Sequence, residues 1–137
     1  MIRALIGNER LSGVTARLAP DRPTGLDCCP LLKPDGRFPI SDLAYPLRLE
    51  PRPTNDAAFF QALLEGVTRI ERLAYGRLAE LGTLQLASMR SVGGGARNAI
   101  WTSMRKKVLG VPFLPARSVE AAVGTASLVR NAIKEAR

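Results

Sequence analysis

Prolines are concentrated in one stretch of this chain, and they restrict what that stretch can fold into. Eight of the ten prolines lie between Pro20 and Pro53, interleaved with glycine and aspartate residues. Proline fixes φ and removes a backbone donor, so neither a regular helix nor a central strand tolerates this density. We therefore predict that residues 1–53 form a weak amphipathic helix, over residues 2–18, followed by a long excursion across a surface.

The pattern changes to helical spacing after Pro53. Thr54, Asn55 and Asp56 offer an N-cap, and apolar residues recur at helical spacing up to Gly82, which suits the position just after a helix end. This spacing predicts one long helix. Gly66 lies inside it at a cost of about 1 kcal/mol relative to alanine, which indicates that another segment packs closely against its backbone.

The remaining residues predict an α/β domain. Residues 84–92 are bounded by glycines and predict a buried strand, residues 99–109 a helix, residues 111–114 a short strand, and Ser118 the cap of a last helix. Helices would then pack on a sheet. Two short strands form too small a sheet for three helices, so we expect the latter part of a larger domain, with an unpaired sheet edge that allows self-association.

Composition excludes several classes of function. The chain has no histidine, which removes Ser-His and Cys-His nucleophilic catalysis and histidine metal ligands. Cys28 and Cys29 are adjacent and too few for a structural zinc site, so we interpret them as reduced thiols. No apolar run is long enough to span a membrane and no signal peptide is recognisable, which favours a cytoplasmic location.

The net charge of +8 is unevenly distributed. Residues 83–137 carry nine basic and two acidic side chains, an excess of seven positive charges. Such an excess indicates an anionic partner, which could be nucleotide phosphate, nucleic acid or an acidic protein surface. A solvated basic face is the alternative without a function.

The turn Gly93-Gly94-Gly95 is the candidate ligand site. A predicted strand runs into it and a predicted helix follows, an arrangement that places backbone N–H groups and a positive helix end beside an anion. Glycine also lets a phosphate or an adenine ring approach the backbone closely. Asn98 can either cap the helix or present its amide to a nucleobase. The turn matches neither the Rossmann nor the P-loop motif, and three glycines alone more often form only a tight turn.

Three blocks of sequence resemble the C-terminal adenosine-binding segment of the FGGY carbohydrate kinases. They are residues 91–101 (SVGGGARNAIW), 108–112 (VLGVP) and 120–126 (EAAVGTA), and their order and spacing agree with that family. Residues 23–40 are most similar to the ketopentose kinases of the ribulokinase and xylulokinase type. Cys28 and Cys29 occupy positions at which kinases of that type are expected to have aromatic residues.

The resemblance implies part of an actin-like, ribonuclease-H-like ATPase fold, with residues 54–137 as an incomplete nucleotide-binding subdomain. It implies ATP as the ligand: Gly93 and Gly94 would lie against the adenosine and the α-phosphate, Gly95 and Ala96 would complete the turn, and Asn98 would meet the adenine. Mg²⁺ would be held mainly by residues outside this chain. The sugar substrate would bind through an N-terminal domain that the chain lacks.

The same resemblance implies that the chain by itself is inactive. Sugar kinases of this family take their catalytic base and magnesium ligands from the N-terminal domain and from an Asp-x-Gly-Thr loop, which is absent here. Only Glu120 and Glu135 are acidic after residue 82. We therefore expect the ATP-binding part of a sugar kinase, with no catalytic residue and no metal ligand of its own.

Two other hypotheses remain open from the sequence. One is a non-catalytic basic module that binds nucleic acid or an acidic protein, which the charge supports and the lack of any known recognition motif disfavours. The other is a regulatory remnant that binds a nucleotide.

Overall fold

The computed structural model describes residues 6–7, 9–30, 39–40, 42, 44–46, 48–118 and 120–135. Its helices are α1 (Leu11–Thr15), α2 (Asp56–Glu80), α3 (Ala99–Leu109) and α4 (Ala121–Glu135), with a 3-10 helix at Gly94–Arg97. Residues 2–5 and 8 of the predicted first helix lie outside the described residues, as do residues 31–38, 41, 43 and 47 of the proline-rich segment. The prediction of one helix over residues 2–18 is wrong for the described part, because Gly7 leaves the helical conformation with a φ of +85° and α1 covers only Leu11–Thr15. No helix of the described part is both long enough and apolar enough to cross a membrane.

The long helix α2 begins and ends where the sequence predicts. Asn55 is its N-cap, and the side-chain oxygen of Asn55 accepts a hydrogen bond from the backbone N–H of Ala57 at 2.9 Å. At the other end Gly82 has a φ of +88°, and the N–H of Thr83 donates to the carbonyl of Leu78 at 3.1 Å. This is the Schellman arrangement, in which a left-handed glycine lets the chain leave the helix. Both predicted helix ends are confirmed.

The hydrophobic core lies along the N-terminal half of α2. Phe59, Leu63 and Thr68 of this helix are almost completely buried. Residues from the first part of the chain and Met104 of α3 complete the same buried cluster. The proline-rich segment and α3 therefore share one helix as their support.

Gln61 of α2 binds the backbone of the proline-rich segment. Its side-chain oxygen accepts from the N–H of Ala19 at 2.8 Å, and its amide nitrogen donates to the carbonyls of Ala19 and Arg22 at 3.0 and 2.7 Å. Gln61 is only 4% exposed. The buried amide is stable there because the backbone of this segment provides its hydrogen-bond partners, and the amide provides partners for that backbone.

Glu65 and Arg69 continue this polar row one and two helical turns later. The Glu65 carboxylate accepts from the N–H and the hydroxyl of Thr24, at 3.1 and 2.6 Å. Arg69 donates to the carbonyl of Cys28 at 3.1 Å. Residues four apart in a helix share a face, so this row follows the segment along one side of α2.

Gly66 lies where this segment comes closest to the helix. A Cβ at this position would overlap the carbonyl oxygen of Cys28 and lie 3.1 Å from Cδ of Pro30. The predicted close packing at Gly66 is therefore confirmed. Cys28 and Cys29 are free thiols in the buried part of this contact, and desolvation by burial raises the pKa of both.

The prediction of an α/β, actin-like arrangement with alternating helices and strands is wrong for the described residues, which contain helices and no strand or sheet. Two isolated bridges are present there, and one of them joins Met89 to Phe113 in parallel. The N–H of Met89 donates to the carbonyl of Pro112 at 2.9 Å. To extend this parallel pairing toward the N-terminus, residue 112 would have to donate a backbone N–H. Proline has no N–H, so the pairing stops there.

The predicted strand at residues 84–92 is also mostly exposed instead of buried. Leu84 is 96% exposed and Val92 is 51% exposed. The sheet edge through which we expected self-association is absent from the described part of the chain. Helix α4 likewise presents apolar side chains to solvent, among them Val129 and Ile133.

Two glycines of α2 give a matched test of the contact with the proline-rich segment. Gly66→Ala is expected to lower the free energy of unfolding by about 2 kcal/mol, because the new methyl group must displace the Cys28 carbonyl. Gly76→Ala meets no atom within 4 Å and is expected to raise it by up to about 1 kcal/mol. Urea unfolding followed by circular dichroism measures both; equal effects would contradict the close contact.

Candidate functional site

The three-glycine turn forms a 3-10 helix that leads directly into α3. The N–H of Ala96 donates to the carbonyl of Gly93 at 3.1 Å, and the N–H of Asn98 donates to the carbonyl of Gly95 at 3.2 Å. The N–H groups of Gly94 and Gly95 begin this helix, so they have no acceptor within it. The turn therefore has two backbone donors that its own helical hydrogen bonds do not use.

The structure explains the need for glycine differently at each of the three positions of the turn. Gly93 has a φ of +78° and a ψ of −170°, a conformation that essentially only glycine adopts. A Cβ on Gly95 would lie 2.5 Å from Cζ3 of the Trp101 ring. Gly94 is exposed, and a Cβ there would meet no atom within 4 Å. The fold thus requires glycine at the first and third positions and leaves the second unexplained.

Asn98 is the N-cap of α3. Its side-chain oxygen accepts from the backbone N–H of Trp101 at 2.9 Å, which confirms the capping interpretation. The cap uses the oxygen only, so the amide NH₂ of the same side chain is the group that could donate to a ligand. Helix α3 then ends at Gly110, whose φ is +69°, as the sequence predicts.

A cleft of about 410 Å³ lies beside the glycine turn. Gly95 and Ala96 line it on one side, so the turn and the cleft are continuous. The remaining lining residues come from α2, from the extended segment before the turn and from α3: Val67, Glu71, Tyr75, Met89, Arg90, Ser91, Val92, Trp101 and Arg105.

Arg105 joins all of these elements. Its guanidinium binds the Glu71 carboxylate through two hydrogen bonds, one of them from Nε at 2.8 Å, and a third nitrogen donates to the hydroxyl of Ser91. It also lies 5.3 and 5.2 Å from the ring centroids of Trp101 and Phe113. The side chains of the pair are only 12% and 21% exposed, so water screens this charge-assisted contact poorly. Arg105 therefore fixes α3, α2 and the residues before the turn relative to one another.

Sequence reasoning missed this role. Arg105 and its partner Glu71 lie 34 positions apart in the sequence, so no local spacing links them. Arg97 and Lys107 are paired as well: Arg97 binds Glu120 at 2.7 Å, and Lys107 binds an aspartate of the proline-rich segment. Part of the basic excess therefore serves internal ion pairs.

Side chains that bind metal ions are not clustered in the part of the chain that the structure describes. Among the described residues, no group of three histidine, cysteine, aspartate or glutamate side chains could hold a metal ion. Glu120 is exposed and bound to Arg97. The open glycine position at Gly94, in contrast, fits the close approach of a nucleotide.

Similarity to known proteins agrees with part of this picture. The chain matches no protein-family model. Over 66 residues it is 32% identical to the autoinducer-2 kinases of Yersinia pestis strain Pestoides F and of Yersinia pseudotuberculosis serotype O:1b. Part of the chain is therefore similar to a carbohydrate kinase of the FGGY family. The aligned part covers 48% of this chain and 12% of each kinase, so the chain spans only a small part of the length of these relatives.

Two arginines give a matched test of the buried ion pair. Arg105→Gln is expected to lower the free energy of unfolding by roughly 3 kcal/mol, because it leaves the Glu71 carboxylate without its partner in a poorly hydrated place. Arg97→Gln removes an exposed pair and is expected to cost less than about 1 kcal/mol. Thermal and urea unfolding at neutral pH measure both. Similar losses in the two variants would show that Arg105 does not join the elements as described.

Proposed function

We propose that this chain is the ATP-binding, C-terminal part of an FGGY carbohydrate kinase that phosphorylates a ketopentose such as ribulose or xylulose. The observation that carries the proposal is Gly94. It lies in the turn that resembles the adenosine-binding segment of these kinases, and nothing in the described fold requires glycine at that position. A nucleotide lying against the turn supplies the missing reason. The similarity of the chain to a kinase supports the same assignment.

The turn has the chemistry to hold a nucleotide. The N–H groups of Gly94 and Gly95 can donate to phosphate oxygens, as at other helix N-termini that bind anions. The absence of a side chain at Gly93 and Gly94 allows the adenosine and the α-phosphate to approach. The amide NH₂ of Asn98 can donate to a ring nitrogen of adenine, while its oxygen continues to cap α3.

Phosphoryl transfer needs groups beyond those in the turn. A sugar hydroxyl must lose its proton to a base, and a divalent cation must neutralise the β- and γ-phosphates. ATP supplies the phosphoryl group. In this proposal the chain's own residues bind and orient the nucleotide, and residues outside the chain provide the base and the magnesium ligands. A cytoplasmic location would follow from the use of ATP.

The substrate is the most specific part of the proposal. It rests on the resemblance of residues 23–40 to ketopentose kinases, and residues 31–38 lie outside the described part. The similar kinases act, by their names, on autoinducer-2. That compound is the competing substrate for the complete enzyme.

ATP binding tests the role of the turn. Gly94→Trp places a large side chain in open space without disturbing the fold, and is expected to weaken ATP binding at least about tenfold in isothermal titration calorimetry. Gly124→Trp makes the same change on the exposed surface of α4, where a Cβ also meets no atom within 4 Å, and is expected to bind ATP like the wild type.

Trp101 provides a second measurement in the unmodified chain. It is the only tryptophan, and its ring lies against Gly95, so ATP bound at the turn is expected to change its fluorescence. Equal ATP binding by wild type and Gly94→Trp would remove the turn from the proposal. Salt-sensitive binding of arbitrary DNA without ATP binding would favour the basic module instead.

The purified 137-residue chain is expected to show no ketose-dependent turnover of ATP, because it lacks the base and the magnesium ligands. A coupled assay of ADP release with magnesium and ribulose or xylulose measures this, with the reaction without sugar as the baseline. Robust sugar-dependent turnover would contradict the proposal that catalysis depends on residues outside the chain.

A further inference from the structure

A second and larger cavity lies on a different face of α2. It has a volume of about 730 Å³ and is bounded by α2, by α3 and by the start of the proline-rich segment. This volume is within the range of small-molecule sites, which is roughly 300–1,000 Å³. Leu73, Met104 and Val108 form its apolar walls together with Pro20 and Pro23. It shares no lining residue with the cleft beside the glycine turn.

Gly76 lines this cavity and has no role in the fold that explains it. Glycine inside an α-helix costs about 1 kcal/mol relative to alanine. Gly66 in the same helix is explained by its contact with Cys28, whereas a Cβ at Gly76 would meet no atom within 4 Å. The absence of a side chain at Gly76 therefore enlarges the cavity. It does not serve the close packing of another segment of the chain.

Among the described residues, the polar groups around the cavity include one cation that has no acidic partner there. Lys107 is bound to Asp21, and Arg69 is bound to a carboxylate of the proline-rich segment. Glu65 accepts hydrogen bonds from that segment. Arg72 makes no ion pair within the part of the chain that the structure describes. The cavity thus combines apolar walls with one available positive charge.

We propose that this cavity binds a small anionic amphiphile, a ligand with an alkyl or similar apolar body and one carboxylate. The apolar body lies against Leu73, Met104 and Val108, and passes Gly76 where no side chain obstructs it. The carboxylate pairs with Arg72, whose guanidinium matches the two oxygens of a carboxylate. Three walls from different segments favour a small molecule over a flat protein contact. The proposal does not depend on the glycine turn or on ATP.

Decanoate, below its micellar concentration, is the ligand for the test. Calorimetric titration of the full 137-residue chain is expected to show saturable binding at one site. Gly76→Leu adds a side chain where the apolar body of the ligand would pass and also favours the helix, so it is expected to weaken binding at least about tenfold without unfolding the chain. Gly124→Leu introduces the same side chain into exposed α4 and is expected to bind decanoate like the wild type.

Arg72→Gln tests the charge separately. It is expected to weaken decanoate binding about tenfold and to leave the binding of uncharged decanol unchanged. Circular dichroism of every variant verifies that the helices are retained. Equal binding of decanoate by wild type and Gly76→Leu, no saturable binding at all, or equal effects of Arg72→Gln on both ligands would each overturn the proposal. A dimer of the wild type that Gly76→Leu disperses, without decanoate binding, would overturn it in favour of self-association.

Discussion

The structure depends on one face of helix α2, which provides hydrogen-bond partners for the backbone of the proline-rich segment. That segment cannot form regular secondary structure of its own. Backbone polar groups that leave water must find partners, and prolines prevent regular pairing in this segment. Gln61, Glu65 and Arg69 supply those partners from three successive turns of the helix. Gly66 beside them lets the Cys28 carbonyl reach the helix surface. The buried cluster forms where this segment is held.

Arg105 performs a comparable task for the second half of the chain. It joins α3 to α2 through Glu71 and reaches the segment before the glycine turn through Ser91. Trp101 then lies against Gly95 and donates its indole N–H to the hydroxyl of Thr68 at 3.0 Å. The turn is therefore held on a network that begins in the core. Such support fixes the position of the turn relative to the core.

In the proposed function, this chain holds the nucleotide, and residues outside the chain carry out the phosphoryl transfer. The turn offers backbone donors and an unobstructed glycine, while the described residues offer no carboxylate cluster for a metal. Similarity to a carbohydrate kinase over 66 residues agrees with a part of such an enzyme. The larger cavity on another face of α2 is a separate feature, because its walls and its charge belong to different residues.

Local chemistry in the sequence determined helices α2 and α3 and their ends. Asn55, Gly82, Asn98 and Gly110 have cap positions that follow from backbone conformation and nearby hydrogen bonds, and the close packing at Gly66 follows from the cost of glycine in a helix. Tertiary structure decided the rest. The expected sheet does not form because a strand exists only with a partner, and Pro112 limits the bridge between Met89 and Phe113. The pairing of Arg105 with Glu71, the row on α2 and the larger cavity all join residues distant in sequence, which no local pattern specifies.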